Sequence, residues 1–105
     1  MKMIIRIDEN KVVKEEKWKL DDIYKTIDFV FEGLKLRCAK DKSNLLTCYG
    51  RKDEKDFARF GKVVNILKRE DWFLENLSEW KLYENDDTEG LSVEDLMSRY
   101  QTIGW

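Results

Sequence analysis

Two cysteines, Cys38 and Cys48, have the most distinctive chemistry in this sequence. They could form a redox pair or supply half of a metal site. In a hairpin centred on Ser43 they lie directly opposite each other on one face, whereas a register slipped by one residue puts them on opposite faces. Two cysteines are too few for a disulfide scaffold, and free cysteine is usually a small buried hydrophobe. We therefore predict two buried thiols.

A basic stripe is the second candidate site. Lys55, Arg59 and Lys62 occupy positions i, i+4 and i+7 of a predicted helix, so they share one side of it. Cations at this spacing can bind phosphate groups. The alternative, which we favour, is a solvated helix face paired with the acidic C-terminal third, because runs of charge usually mark exposed surface.

One face of a predicted sheet is the third candidate. Alternation along the strands places a mixed set of side chains on the side away from the helices, namely Lys35, Arg37, Leu45, Thr47, Tyr49, Lys81 and Tyr83. Exposed tyrosine and basic side chains can stack on nucleic-acid bases or anchor a protein interface. Alternatively, the final helix or the tail covers this face. The Gly-aromatic motif of RNA-binding sheets is missing, which weakens the nucleic-acid interpretation.

The acidic segment at residues 85–90 has part of the pattern of a calcium loop. Counted from Asn85, Gly90 falls at the sixth position, as in such loops. The twelfth position is Leu96, where a calcium loop needs a bidentate glutamate. We therefore predict a solvated loop and no metal site.

Other catalytic constellations are missing from the sequence. There is no histidine, which removes the commonest general base and the commonest metal ligand. There is also no Gly-rich phosphate loop and no Gly-x-Ser-x-Gly nucleophile motif. Carboxylates are abundant, so a two-carboxylate hydrolase stays open, but no pair is singled out. We predict that the chain is not an enzyme and needs no cofactor.

The first half of the chain is predicted to contain a strand, then a segment that fits either a strand or a helix, and then a helix. Residues 2–8 alternate apolar and polar side chains, which is typical of a half-buried strand. Residues 11–18 fit either the returning arm of a hairpin or a helix that starts near Lys14. Residues 21–33 have apolar side chains at helical spacing, with Asp21 as the expected N-cap and Gly33 as the expected left-handed C-terminal residue.

The second half begins with a hairpin, whose arms we place at residues 34–39 and 45–50. A helix over 54–68 follows, with Asp53 as N-cap, an apolar stripe of Phe57, Phe60, Val63, Val64 and Leu67, and a close packing contact at Gly61. The Trp72-Phe73-Leu74 segment is expected to plug one end of the core. A strand over 78–84 and a short helix capped by Ser92 and Asp95 complete the chain.

This order of elements predicts a single α+β domain over residues 1–105, with helices on one face of a mostly antiparallel sheet. The chain has 105 residues, of which 42% are hydrophobic, and this supports one modest core. If the arm at 11–18 is dropped, the order is β-α-β-β-α-β plus a C-terminal helix, the ferredoxin-like layout. If the arm is kept, the chain starts with two ββα units.

Taken together, the sequence predicts a small cytoplasmic binding domain. The apolar run at the N-terminus is too short for a secretory signal, and no stretch is long enough to span a membrane. The first hypothesis is a non-catalytic interaction, inhibitor or immunity-type domain that binds another protein. The alternative is a nucleic-acid-binding module, against which the net charge of −2 weighs. A homodimer through an edge strand stays open. We expect the binding residues to be Lys35, Arg37, Tyr49, Lys55, Arg59, Lys62 and Tyr83.

Overall fold

A computed structural model of the protein describes residues 1–84 and 93–101. The elements in chain order are β1 Lys2–Ile7, α1 Glu9–Glu15, α2 Leu20–Gly33, β2 Arg37–Lys40, β3 Leu45–Tyr49, α3 Asp56–Leu67, α4 Asp71–Leu74, β4 Leu77–Tyr83, β5 Val93–Asp95 and α5 Leu96–Gln101. The predicted acidic loop at 85–90, the cap at Ser92 and the tail at 102–105 lie outside the described residues.

The strands form one antiparallel sheet in the order β2-β3-β1-β4-β5. The predicted α+β class, with helices on one face of an antiparallel sheet, is confirmed. Strand β1 lies between β3 and β4, although both are distant from it in sequence. The helices α1 and α4 and the edge strand β5 are additions to a β-α-β-β-α-β order, and the ferredoxin-like layout stays a prediction.

The core lies between the helices and the inner face of the sheet, which is the face that they cover. Met3 and Ile5 of β1 are completely buried there, as the alternating pattern predicts. Trp80 of β4 lies beside them, and its indole N–H points at the Met3 sulfur at 3.2 Å. The ring of Phe73 in α4 meets Trp80 edge to face at 4.9 Å between centroids, so this segment does close one end of the core.

Residues 9–15 are helical, so the hairpin arm proposed for 11–18 is wrong. The Asp8 carboxylate accepts a hydrogen bond from the Lys11 backbone N–H at 3.1 Å, and it acts as the N-cap of α1. The polar residues after β1 therefore start a helix. Only Val12 of the valine pair is buried, while Val13 is 65% exposed.

Helix α2 confirms the strongest prediction from the sequence, but both of its ends differ in detail. Lys19 is the N-cap residue, and Asp21 lies inside the first turn, where its charge favours the helix dipole. Gly33 is the last helical residue, and the left-handed residue is Lys35, with φ 61°. The backbone N–H of Lys35 donates to the Glu32 carbonyl, which stabilises this turn.

Helix α3 buries most of the predicted stripe, since Phe60, Val63 and Leu67 are buried and Val64 packs against them. Phe57 is 77% exposed, and a Cβ atom on Gly61 would meet no described atom within 4 Å, so the predictions for these two residues are wrong. The buried side chain of the first turn is Asp56 instead. Because its carboxylate accepts backbone N–H groups from the preceding loop, it turns inward, and Phe57 is left outside.

The cysteines form a disulfide, so the prediction of two free thiols is wrong. Strands β2 and β3 pair in the register centred on Ser43, which sets Cys38 opposite Cys48 with their Cα atoms 4.0 Å apart. The disulfide pins the short edge strand β2 to β3, the strand with which it pairs among the described residues.

The final helix begins at Leu96, because Val93–Asp95 pairs with β4 as an edge strand. Asp95 caps the helix, since its carboxylate accepts from the Ser98 N–H at 3.2 Å.

Phe60→Ala should lower the free energy of unfolding by about 3–5 kcal/mol, because it leaves a cavity in a completely buried site. Phe57→Ala is the matched control on the same helix, and we expect it to cost less than about 1 kcal/mol. Urea unfolding followed by tryptophan fluorescence measures both. Equal losses of stability for the two variants would contradict the burial of Phe60 and the exposure of Phe57 on this helix.

Candidate binding surface

The outer face of the sheet, which the helices leave uncovered, carries a row of alternating cations and tyrosines. The strand registers set Arg37 opposite Tyr49, Tyr49 opposite Lys2, and Lys2 opposite Tyr83. These four side chains come from four adjacent strands and point to the same side, because paired residues share a face. We call them the cation–tyrosine row.

Contacts within the row hold its members in place. The Lys2 ammonium lies 5.1 Å from the centroid of the Tyr83 ring, a distance that permits a cation–π interaction. Tyr49 is 47% exposed although it is aromatic, so about half of its surface is accessible to a ligand. An exposed tyrosine flanked by two cations is able to contact a ligand with both its ring and its hydroxyl group.

The remainder of the outer face is more neutral. Ile4 lies at its centre and is only 9% exposed, with Thr47 and Lys81 opposite it on the neighbouring strands. Arg6 at the far end is paired, because its side chain donates to Glu79 at 3.1 Å and to the Ser43 carbonyl at 2.7 Å. The charge at the far end is therefore paired, whereas Lys2 and Arg37 of the row form no ion pair within residues 1–84 and 93–101.

The Arg37 end of the row opens into a cleft of about 500 Å³ that we call the cationic corner. It is lined by Lys35, Arg37, Tyr49, Gly50 and Arg51. No carboxylate lines this cleft, and within residues 1–84 and 93–101 none of its three cations forms an ion pair. Three positive charges therefore lie around one open space, and of these the charge of Arg51 also interacts with the nearby carboxylate of Asp53.

The backbone of the cationic corner is held by a buried carboxylate. The two oxygens of Asp56 accept the N–H groups of Arg51 at 2.9 Å and Lys52 at 2.8 Å. The Gly50 N–H donates to the Met1 carbonyl at 2.9 Å, which ties the loop to β1. A Cβ atom on Gly50 would lie 2.4 Å from Asp56, so only glycine allows this approach.

The charge on Asp56 is stabilised in place. Burial acts to raise the pKa of this carboxyl, but the hydrogen bonds from Arg51 and Lys52 and from the Arg59 guanidinium outweigh it and hold the pKa below its ordinary value. Asp56 is therefore an anion that positions the loop, and Arg59 is its counter-ion.

The structure brings together three of the predicted binding residues, Lys35, Arg37 and Tyr49, in the cationic corner, and it places Tyr83 two strands away in the same row. Lys55 is the N-cap residue of α3 and Lys62 lies within this helix, and neither lines the cationic corner. Arg59 is held by Asp53 at 2.7 Å and Asp56 at 2.9 Å, so the centre of the basic stripe is paired within its own loop and helix, and its predicted partner in the acidic C-terminal third is not the one observed.

Two residues of this surface were missed from the sequence. Lys2 alternates with the core side chains of β1, a signal that could have placed it on the outer face. Arg51 directly follows Gly50, but only the contact with Asp56 brings it to the cleft, and no local pattern indicates that contact.

The rest of the described chain offers few features for a metal or a cofactor. Residues 1–84 and 93–101 contain no group of three or more metal-ligating side chains. A separate cleft of about 300 Å³ lies between Trp18 and Trp72, with Lys17 and Asp22 at its wall. The Trp72 indole already donates to Glu70 at 2.8 Å.

Gly50→Ala should lower stability by about 1–3 kcal/mol, because the added methyl group collides with the Asp56 carboxylate. Gly61→Ala serves as the control, since the added Cβ atom would meet no described atom within 4 Å. It should raise stability by up to about 1 kcal/mol, because alanine favours the helix more than glycine does. Thermal melts of both variants check the opposite signs. A neutral Gly50→Ala would mean that the loop does not need the close approach of Asp56.

Comparison of the chain with protein-family models, with curated proteins and with solved structures found no match. The function therefore has to be inferred from the chain's own residues. The cationic corner and the cation–tyrosine row are the features of the described chain that best fit a binding function, since they combine exposed tyrosine with unpaired positive charge.

Proposed function

We propose that this chain is a non-catalytic domain that binds another protein, and that an acidic surface of the partner docks on the outer face of the sheet. The observation that carries the proposal is the cation–tyrosine row, which continues into the cationic corner. Both features present side chains that the fold does not use for its own core.

The chemistry of the outer face supports a protein partner. Tyrosine and arginine are the commonest anchors of protein interfaces, and the row contains Tyr49, Tyr83 and Arg37. Because the unpaired charge of the cationic corner is positive, a partner with acidic residues is favoured. A second copy of this chain is one such partner, since residues 70–105 are rich in acidic side chains.

Nucleic acid is the second candidate, and the three unpaired cations of the cationic corner favour it. Glu79 and Asp95 weigh against it, because the strand registers place both on the same outer face, where they would repel a phosphate backbone. The net charge of −2 weighs in the same direction.

The membrane is not part of the proposal. No helix in the described ranges has both the length and the apolar character needed to cross a bilayer.

Tyr49→Ala should weaken capture of the partner while it leaves stability within about 1 kcal/mol of the wild type, because Tyr49 lies on the outer face of the sheet and is 47% exposed. Phe29→Ala is a matched control, since Phe29 is a 77% exposed aromatic on α2, which packs on the inner face of the sheet. The test is capture from a lysate of the source organism by each immobilised variant, with washes at low salt and at about 0.5 M salt.

The two washes separate the two candidates. A protein that survives high salt and is lost with Tyr49→Ala, but not with Phe29→Ala, supports the proposal. Nucleic acid recovered only at low salt replaces it with the second candidate. Equal loss with both variants would mean that capture does not depend on the outer face.

A cytoplasmic location is part of the proposal, and the Cys38–Cys48 disulfide weighs against it because such bonds are rare in reducing compartments. If the protein is cytoplasmic, alkylation of intact cells before lysis should modify both cysteines, and mass spectrometry reads the added mass. An unmodified, oxidised pair would place the protein in an oxidising environment instead.

A further inference from the structure

We propose that the cationic corner is an oxyanion site for a phosphate monoester, and that the partner supplies this group on a phosphorylated side chain. The inference rests on the proposed function, because it names the chemistry of the partner at the same surface. It goes beyond charge complementarity, since it assigns one ligand group to one cleft.

The charge of the cleft selects the ligand. Lys35, Arg37 and Arg51 place three positive charges around it and no carboxylate lines it. A single carboxylate carries one negative charge and two acceptor oxygens, which leaves cations of the cleft unmatched. A phosphate monoester carries about −1.5 to −2 charges at neutral pH and three strong acceptor oxygens, so it offsets more of the positive charge than a carboxylate does and offers one acceptor oxygen to each of the three cations.

The donor groups of the cleft are available. The guanidinium groups of Arg37 and Arg51 and the hydroxyl group of Tyr49 form no hydrogen bond with residues 1–84 or 93–101. An arginine guanidinium presents its N–H groups in a rigid fork that fits two phosphate oxygens at once. Two such forks, a lysine and a phenol provide more donors than a monoester needs.

The backbone of the cleft is already ordered before a ligand arrives. Asp56 holds the Arg51 and Lys52 N–H groups, and Gly50 is tied to Met1. The disulfide joins the residues next to Arg37 and Tyr49 on their strands, so these two strands are clamped directly beside the cleft. Because binding then orders only side chains, more of the interaction energy appears as affinity.

The cleft is a single focus of charge, which favours a monoester over the backbone of a nucleic acid. A bound strand presents a track of phosphodiesters with one charge each. Beyond the cationic corner, the cations of the outer face are Lys2 of the row, Arg6, which is paired with Glu79, and Lys81, which lies opposite Asp95. A bound strand would therefore meet mixed charge instead of a continuous basic track.

The first experiment is a titration of the full oxidised chain at constant ionic strength, followed by the amide resonances of Gly50 and Arg51. The probes are N-acetyl-O-phosphoserine amide, its unphosphorylated form, inorganic phosphate and acetate. We expect saturable shifts with both phosphate compounds and none with acetate or the unphosphorylated form. Between pH 7.5 and pH 5.0 the affinity should fall several-fold, because the second pKa of the ester is about 6 and the dianion is lost.

Variants locate the site. Arg37→Gln and Arg51→Gln should each weaken phosphoserine binding about tenfold or more, as expected for the loss of a charge-assisted hydrogen bond. Lys62→Gln removes the same charge from α3, outside the cleft, and should leave the affinity unchanged. An equal loss with Lys62→Gln, or acetate binding as tight as phosphate, would overturn the inference.

The capture experiment distinguishes this inference from the proposed function. If the inference is right, treatment of the lysate with phosphatase abolishes capture of the same partner that Tyr49→Ala fails to capture. If phosphatase has no effect while Tyr49→Ala still abolishes capture, the oxyanion site is wrong and the protein-binding surface stands. Tighter binding of an oligonucleotide without a terminal phosphate than of the phosphoserine probe would overturn both the oxyanion site and the proposed function.

Discussion

The central position of β1 is the constraint on which the rest of the structure depends. This six-residue strand pairs with β3 on one side and β4 on the other, so both halves of the chain are built on it. Its inner side chains Met3 and Ile5 are completely buried against Trp80 and the helices. The same pairing places Lys2 between Tyr49 and Tyr83 on the outer face, so the strand that completes the core also assembles the cation–tyrosine row.

A buried carboxylate connects this sheet to the candidate site. Asp56 occupies the buried position in the first turn of α3, where an apolar side chain was predicted. Its carboxylate accepts hydrogen bonds from two backbone N–H groups and forms an ion pair with Arg59. Burial of a charge is costly unless it is paired and hydrogen-bonded, and here both conditions are met. The result is a fixed loop at residues 50–52 that leaves the Arg51 side chain at the cleft.

Much of the candidate site follows from alternation along single strands. Arg37, Tyr49 and Tyr83 were assigned to one face from the period of two, and the structure places them there, whereas Lys35 lines the cleft from the turn after α2. The basic stripe on α3 shows where such reasoning ends. Helical spacing places Arg59 and Lys62 on one side, but it does not indicate that Asp53 and Asp56 hold the arginine. Phe57 likewise has the helical spacing of a core residue, but it is exposed because Asp56 occupies the buried position.

The sequence by itself determined the α+β class, the core side of α2 and the inner residues of β1 and β4, because these depend on local periodicity that one segment carries alone. It also limited the register of the β2–β3 hairpin to two alternatives. Only the tertiary structure decided that β1 lies between β3 and β4, that the facing cysteines are joined, and that Lys2 and Arg51 reach the candidate site. These features depend on pairing between segments far apart in the chain, and the free energy of such pairing comes from packing and hydrogen bonds that no single segment contains.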